Sequence, residues 1–355
     1  MVVFLVIFLS FGFLIFIHEF FHFLFAKKFG VKVESFSVGF PPFIFRKKKG
    51  ETEYLLGLVP FGGFVKLFGE EERINHPRSF YGKEIWKRFL IISGGPLGNI
   101  LLAFFLFFLA GIVGAPVIGK NFKGEIQKSF LQIVEVKKDS PAFKAGIKPG
   151  DIILGAKVGK KLEKFSKEED LLNFVKKQKG KTQTFVFKRG RKVFEKEIYL
   201  RENPPPNEGP MGIAFERVFL VKFSLWESFL LSAKKIYYLT RSFFEIPLRI
   251  IFKKEKIPLE VSGPVGISRY FLMTFYLGGG YFLQFLGVLS FSLGIINLFP
   301  FPALDGGRIV FLGIEAIRRK PLSLKTENLI NQIGFLILIF LMILVTINDI
   351  QKIFK

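Results

Sequence analysis

The sequence predicts a polytopic α-helical membrane protein of about four transmembrane helices that also carries a separate soluble α+β domain. Three observations lead there. Half of the 355 residues (50%) are hydrophobic and 49 are Phe, so mean hydropathy is +0.38 although 23% of the chain is charged. The apolar residues gather in four runs close to the roughly 20 that a helix needs to cross a bilayer core. Between the second and third runs lies a long mixed segment in which short alternating stretches and turn residues mark strands.

The balance of 52 Lys+Arg against 29 Asp+Glu gives a formal net charge of +23. A nucleic-acid binder would not carry so much apolar sequence, so the charge is assigned to loops beside anionic lipid and nucleic acid is excluded as a partner. With no Cys, the chain has no disulfide, thiol nucleophile, Cys-ligated metal or iron–sulfur cluster. A metal site must use His and carboxylates. The candidates are few: His18, His22 and His76, and Asp139, Asp151, Asp170, Asp305 and Asp349.

Each element follows from its own pattern. Residues 2–17 run into His18 and predict a retained helix through residue 25, because there is no basic stretch ahead of them and no small-residue cleavage site behind. Residues 26–88 form a basic loop with two β-like runs, 33–45 and 53–67, the second holding Gly62-Gly63. The second span, residues 89–113, carries Ser93 and Asn99. In the soluble domain, 125–200, residues 130–136 and 152–154 are strands around a short helix and turn at 140–151. Ser166 with Glu169 forms a capping box for a helix to about residue 178, and residues 182–188 and 192–200 are strands around Gly190. A Pro-rich linker at 201–210 leads to an amphipathic helix on the membrane surface between residues 224 and 252, within a connection reaching residue 280. The third span occupies 281–308, broken near its end by Pro300, Pro302, Gly306 and Gly307. The fourth occupies 329–347. Four spans place both termini on one side. The Lys and Arg of residues 26–88 and of the loop after the third span place those loops in the cytoplasm and the soluble domain outside.

The chemistry concentrates in His18-Glu19-Phe20-Phe21-His22, an H-E-x-x-H motif. On a helix, histidines four apart share a face and can bind one Zn2+, with the Glu beside them positioned to act on a water. This composition yields about 0.002 chance matches, and ionisable groups inside an apolar span are costly without a function. Catalytic zinc commonly takes three protein ligands and a water. His76 lies in a polar loop, three Asp lie in the soluble domain, and Asp349 follows the last span. Asp305 alone leaves an apolar span at a suitable depth. His18 lies roughly 22 Å below the outer surface at about 1.5 Å per residue, and the broken end of the third span brings Asp305 to that level. Asn99 and Asn297, the amides within spans, either hold a substrate backbone or oxyanion or bond between helices.

These motifs occur in a particular order: H-E-x-x-H, Gly94-Gly-Pro-Leu-Gly-Asn99, Ser262-Gly-Pro-Val-Gly-Ile267, then Asn297-Leu-Phe-Pro-Phe-Pro-Ala-Leu-Asp-Gly306. The chain thereby resembles, nearly end to end, the RseP-type members of the site-2 protease family, intramembrane zinc metalloproteases of the bacterial inner membrane. The resemblance implies Zn2+ on His18, His22 and Asp305, Glu19 as catalytic residue, and Asn297 and Asn99 as substrate-binding candidates. It makes the soluble domain an extracytoplasmic PDZ-like domain, with Ser140-Pro-Ala-Phe-Lys-Ala-Gly146 leading to Gly150-Asp151. Residues 31–67 become a membrane-associated β-hairpin on the cytoplasmic side whose edge could pair with substrate. The implied substrates are transmembrane segments of single-pass proteins, such as an anti-sigma factor or remnant signal peptides, cleaved after an upstream site-1-type protease has acted. A transmembrane helix hides its backbone, so the substrate must unwind first. Arg308 stands where many members have His, which could alter local contacts. No clear Gly-rich carboxylate-binding loop precedes Leu131, which points to a steric filter in place of a C-terminus receptor.

Overall fold

In the computed structural model, which describes residues 2–119, 122–159, 161–253 and 263–354, all four apolar runs are long helices. Inside a bilayer the backbone has no water to bond to, and a helix satisfies every N–H and C=O within itself. The chain begins with α1 (Val2–Lys28), β1 (Val33–Lys49), β2 (Thr52–Leu67) and α2 (Ile85–Val113). A sheet region follows, with β3 (Ala115–Ile118), β4 (Glu125–Val136), α3 (Pro141–Lys144), β5 (Ile152–Val158), β6 (Lys161–Lys164), α4 (Glu168–Lys177), β7 (Thr182–Arg189), β8 (Lys192–Tyr199) and β9 (Ile213–Lys222). The remainder is helical: α5 (Leu225–Lys253), α6 (Pro264–Leu277), α7 (Gly279–Leu298), α8 (Asp305–Arg318) and α9 (Leu324–Phe354). Among the described residues, four helices are long and apolar enough to cross a membrane: α1, α2, α7 and α9. Few residues in the apolar stretches of α1 and α9 are fully buried, whereas half of those in α2 are. Lipid tails are as apolar as Leu, so the sides of α1 and α9 that no protein covers can face lipid.

The chain divides into two compact units. The first comprises Met1–Leu106, Ala233–Arg269 and Phe285–Lys355. Its sheet is built from β1 and β2, each of which doubles back on itself. Residues 33–38 pair on one side with 63–67 and on the other with 53–56, while 43–49 pair with 52–57. The reversal is made at Gly39, at φ +87°. A Cβ on Gly57 would enter the backbone of Gly39 and Phe40, so these two positions require glycine. The sheet packs on α1 through Phe36, whose ring centroid lies 5.2 Å from Phe23 and 6.0 Å from Phe16. At the β1–β2 turn, Glu51 accepts from Lys27 Nζ at 3.1 Å and pairs with Arg78. The Arg46-Lys47-Lys48-Lys49 run is exposed there. Elsewhere in this unit the Asp349 carboxylate accepts from Gly266 N at 2.7 Å, tying the start of α6 to α9.

The second unit, Phe107–Ser232 with Tyr270–Gln284, holds a seven-stranded antiparallel sheet in the order β3-β9-β4-β5-β7-β8, with β6 on β5. Its core includes Leu131, Ile133, Ile153, Phe174, Phe185 and Phe187. Ser140 caps α3 by accepting from Phe143 N at 3.2 Å, and buried Asp151 accepts from Lys148 N and twice from Arg189, both at 2.6 Å. Two details differ from the sequence expectation. Asp170, not a Ser166–Glu169 box, organises the start of α4: its carboxylate accepts from Ser166 N at 2.9 Å and Lys167 N at 2.8 Å, and these bonds hold its pKa below the usual carboxylate range. The sheet also extends beyond residues 125–200, because β3 and β9 join it and β9 pairs with β4 along its length. The stretch 201–280, expected to be linker and surface helix, therefore also supplies an interior strand and α6.

Candidate metal centre

Residues 18 and 22 are rather more than one helical turn apart, so α1 presents both histidines on one face, with ring centroids 4.8 Å apart. Asp305 arrives by a different route. Helix α7 stops at Leu298, and Pro300 and Pro302 keep residues 299–304 out of helix. Ala303 takes φ +72° and its N–H donates to Asn331 Oδ1 at 3.1 Å, after which α8 starts at Asp305 itself. Gly306 and Gly307 lie against the backbone of Leu298, Phe299 and Phe301, where a Cβ would collide. The Asp-Gly-Gly triplet thus combines a candidate ligand with the two residues that let its turn close.

The outcome is a triangle of ligand atoms. Asp305 Oδ2 lies 3.1 Å from His18 Nε2 and 3.3 Å from His22 Nε2, and the two nitrogens are 3.2 Å apart. A tetrahedral ion with bonds of about 2.0–2.1 Å separates its ligands by about 3.3 Å, so the triangle fits one face of such a site and leaves the fourth vertex open. Asp305 Oδ2 is buried and accepts no hydrogen bond among the described residues, which leaves its lone pairs for an ion. These three side chains are also the group among the described residues that could hold a metal.

Helix α2 packs against the same face. His22 Nδ1 donates to Ile91 O at 2.8 Å, and Asn99 Nδ2 lies 3.3 Å from His18 Nδ1. Gly95 passes so close that a Cβ there would be 2.7 Å from His18 Nε2 and would strike His22 Nε2, while Gly94 and Gly98 lie against Phe21. Ser290 Oγ of α7 donates to Asn99 O at 2.7 Å. Glu19 faces β2, where a Cβ on Gly63 would lie 3.0 Å from Glu19 Cγ. Asn297 is in the last turn of α7, half-buried, its amide donating to Leu293 O of its own helix at 2.9 Å. His76 lies apart from the cluster, with Nδ1 accepting from Arg78 N at 3.1 Å. A cavity of about 580 Å3 in the same unit is lined on one side by Phe64, Val65 and Lys66 of β2 and on another by Ala303 and Arg308, without any of the three triangle residues. Arg308 pairs with Glu70. Sequence reasoning had not assigned Gly95 or the Ile91 carbonyl to the site. The Gly94…Gly98 spacing signals close helix packing but does not say against what.

The sequence model of peptidase family M50 matches residues 6–341, a range that contains all of these side chains. The chain belongs to peptidase family M50. A Clostridium perfringens relative is 34% identical over 347 residues, covering 96% of each chain. The zinc metalloprotease RasP of Oceanobacillus iheyensis is 28% identical over 436 residues, covering 98% of each. The regulator of sigma-W protease RasP of Bacillus subtilis is 26% identical over 425 residues, covering 97% of each. The expected site-2 protease relationship is met. As an M50 peptidase with four membrane-crossing helices and a sheet-containing unit, the chain is a multi-pass bacterial membrane protease.

Proposed function

We propose that the chain is a zinc metalloendopeptidase that cuts single-pass membrane proteins within or beside their transmembrane segments. Anti-sigma factors and remnant signal peptides are the substrate classes. The observation that carries this reading is the His18–His22–Asp305 triangle, set beside Glu19 at the level of an apolar helix. His18, His22 and Asp305 would hold the ion; when bound there, Zn2+ supplies a Lewis acid and an acidified water. Glu19 accepts the proton of the attacking water and returns it to the departing amine. Gly63 lets β2 pass close to Glu19. Asn297, and the edge of residues 63–67 that borders the 580 Å3 cavity, would hold an unwound substrate backbone. The basic hairpin tip and the loop after α8 face the cytoplasm, and the PDZ-like sheet unit lies outside, where it filters substrates by size after an upstream protease has trimmed them.

The test is cleavage of a tagged model transmembrane substrate in detergent by wild type and Glu19→Gln, with zinc content measured on both. The expected result is normal zinc in both and loss of cleavage in the variant. Equal cleavage by the two would sink the mechanism. Wild-type protein that purifies without zinc and does not take it up would sink the metal assignment.

A further inference from the structure

Both site histidines are met at Nδ1 by groups of α2, but the two groups differ. Ile91 O, 2.8 Å from His22 Nδ1, can only accept, so it fixes the proton on Nδ1 and leaves Nε2 as a lone pair aimed into the triangle. His18 must adopt the same tautomer if its Nε2 is to ligate, and its Nδ1–H then needs an acceptor. The neighbour there is the Asn99 amide, 1% exposed, with Nδ2 at 3.3 Å and Oδ1 buried without a hydrogen-bond partner among the described residues. An amide offers a donor and an acceptor of nearly equal size, exchanged by half a turn about its Cβ–Cγ bond. Its backbone cannot follow, since Asn99 O is held by Ser290 Oγ at 2.7 Å and Gly294 packs against Asn99 Cβ.

We propose that Asn99 is a positioning residue for His18: with the amide turned so that Oδ1 faces His18, Oδ1 accepts from His18 Nδ1–H and holds Nε2 as the ligand atom. This departs from the expectation that Asn99 binds substrate, and it rests on the metal-site reading above. The side chain can serve either tautomer without adding charge to an apolar helix. An Asp would only accept, a Leu would do neither, and both are close to Asn in size.

The experiment measures zinc affinity by chelator competition on purified full-length protein for wild type, Asn99→Leu and Asn99→Asp, with thermal unfolding to confirm folding and KM measured at saturating zinc. Wild-type binding comes first; its failure would overturn the metal site itself and is separable from the fate of Asn99. Given wild-type binding, Asn99→Leu is expected to bind zinc roughly 10–100-fold more weakly, the usual effect of losing a histidine's outer partner. Asn99→Asp is expected to recover most of that affinity, because its carboxylate accepts from Nδ1–H, and KM is expected to stay unchanged in both. Unaltered zinc affinity in Asn99→Leu, or a raised KM with normal zinc binding, would overturn the proposal and return Asn99 to the substrate. Equal loss in both folded variants would also overturn it, since packing alone would then explain the effect.

Discussion

At the scale of single residues, the site depends as much on an absent side chain as on those present. Gly95 is the point at which α2 meets the two imidazoles, and a methyl group there would occupy the space of His22 Nε2. Intrinsic helix propensity favours Ala over Gly by about 1 kcal/mol, but forcing a methyl into a packed contact costs about 1–3 kcal/mol, so the collision outweighs the propensity gain. Gly95→Ala is expected to melt earlier than wild type and to bind zinc at least tenfold more weakly; calorimetry and chelator titration on one preparation check both. The three side chains that meet in the triangle were legible in the sequence for two reasons. His18 and His22 form a local pattern that a helix converts directly into a shared face. Asp305 could be found because there are only five Asp and one of them leaves an apolar run. Gly95 was not legible as a site residue, because its role arises from a contact between helices more than 70 residues apart in the chain.

At the scale of elements, the short helix α8 must be held still if its first residue, Asp305, is to serve as the proposed third ligand. Two arginine pairs tie it to its neighbours and a third joins elements of the same unit. Arg308 reaches Glu70 after β2, Arg73 meets Glu327 of α9 at 2.6 Å, and Arg88 of α2 grips Glu315 of α8 with two bonds of 2.9 and 2.6 Å. The first of these answers the question raised by Arg308 standing where many members have His. The Arg88 pair is the most buried, its side chains 4% and 15% exposed. Removing one partner of such a pair costs about 3–5 kcal/mol, whereas replacing both with apolar groups is often nearly neutral. Arg88→Met is therefore expected to destabilise the protein by about 3 kcal/mol, and adding Glu315→Leu to restore most of it, measured by unfolding in one detergent. A second variant no better than the first would show that the pair is not the cause. Elements written as a single run were legible: the spans, α4 and the β7–β8 hairpin. The doubling of β1 and β2 was not, because Gly39 and Gly57 look like ordinary turn residues until their strands meet. Nor was β9, because its partner β4 lies across the Pro-rich stretch that had been taken as the end of the sheet domain.

At the scale of the whole molecule, the sidedness of the chain rests on where its surplus of positive charge lies. The four helices that could cross a membrane among the described residues would return the chain to the side from which it started, so one sign of the charge bias fixes every loop. The two short loops between spans hold the exposed Arg46–Lys49 tip and the exposed Arg318-Arg319-Lys320 run, whereas the long segment between α2 and α7 is a folded unit. Long folded segments cross a membrane largely regardless of charge, and short basic loops do not. The basic loops should therefore be cytoplasmic and the sheet unit outside, even though that unit is itself rich in Lys. The cysteine-free sequence makes this directly measurable, since a single introduced thiol is the only one present. A membrane-impermeant maleimide added to intact spheroplasts is expected to label Lys157→Cys and Lys176→Cys, both exposed in the sheet unit, and to label Lys48→Cys and Arg319→Cys only after lysis. The reverse pattern would put Glu19 and the proposed metal ligands in the opposite half of the bilayer and overturn the proposed role of the sheet unit as an outer filter.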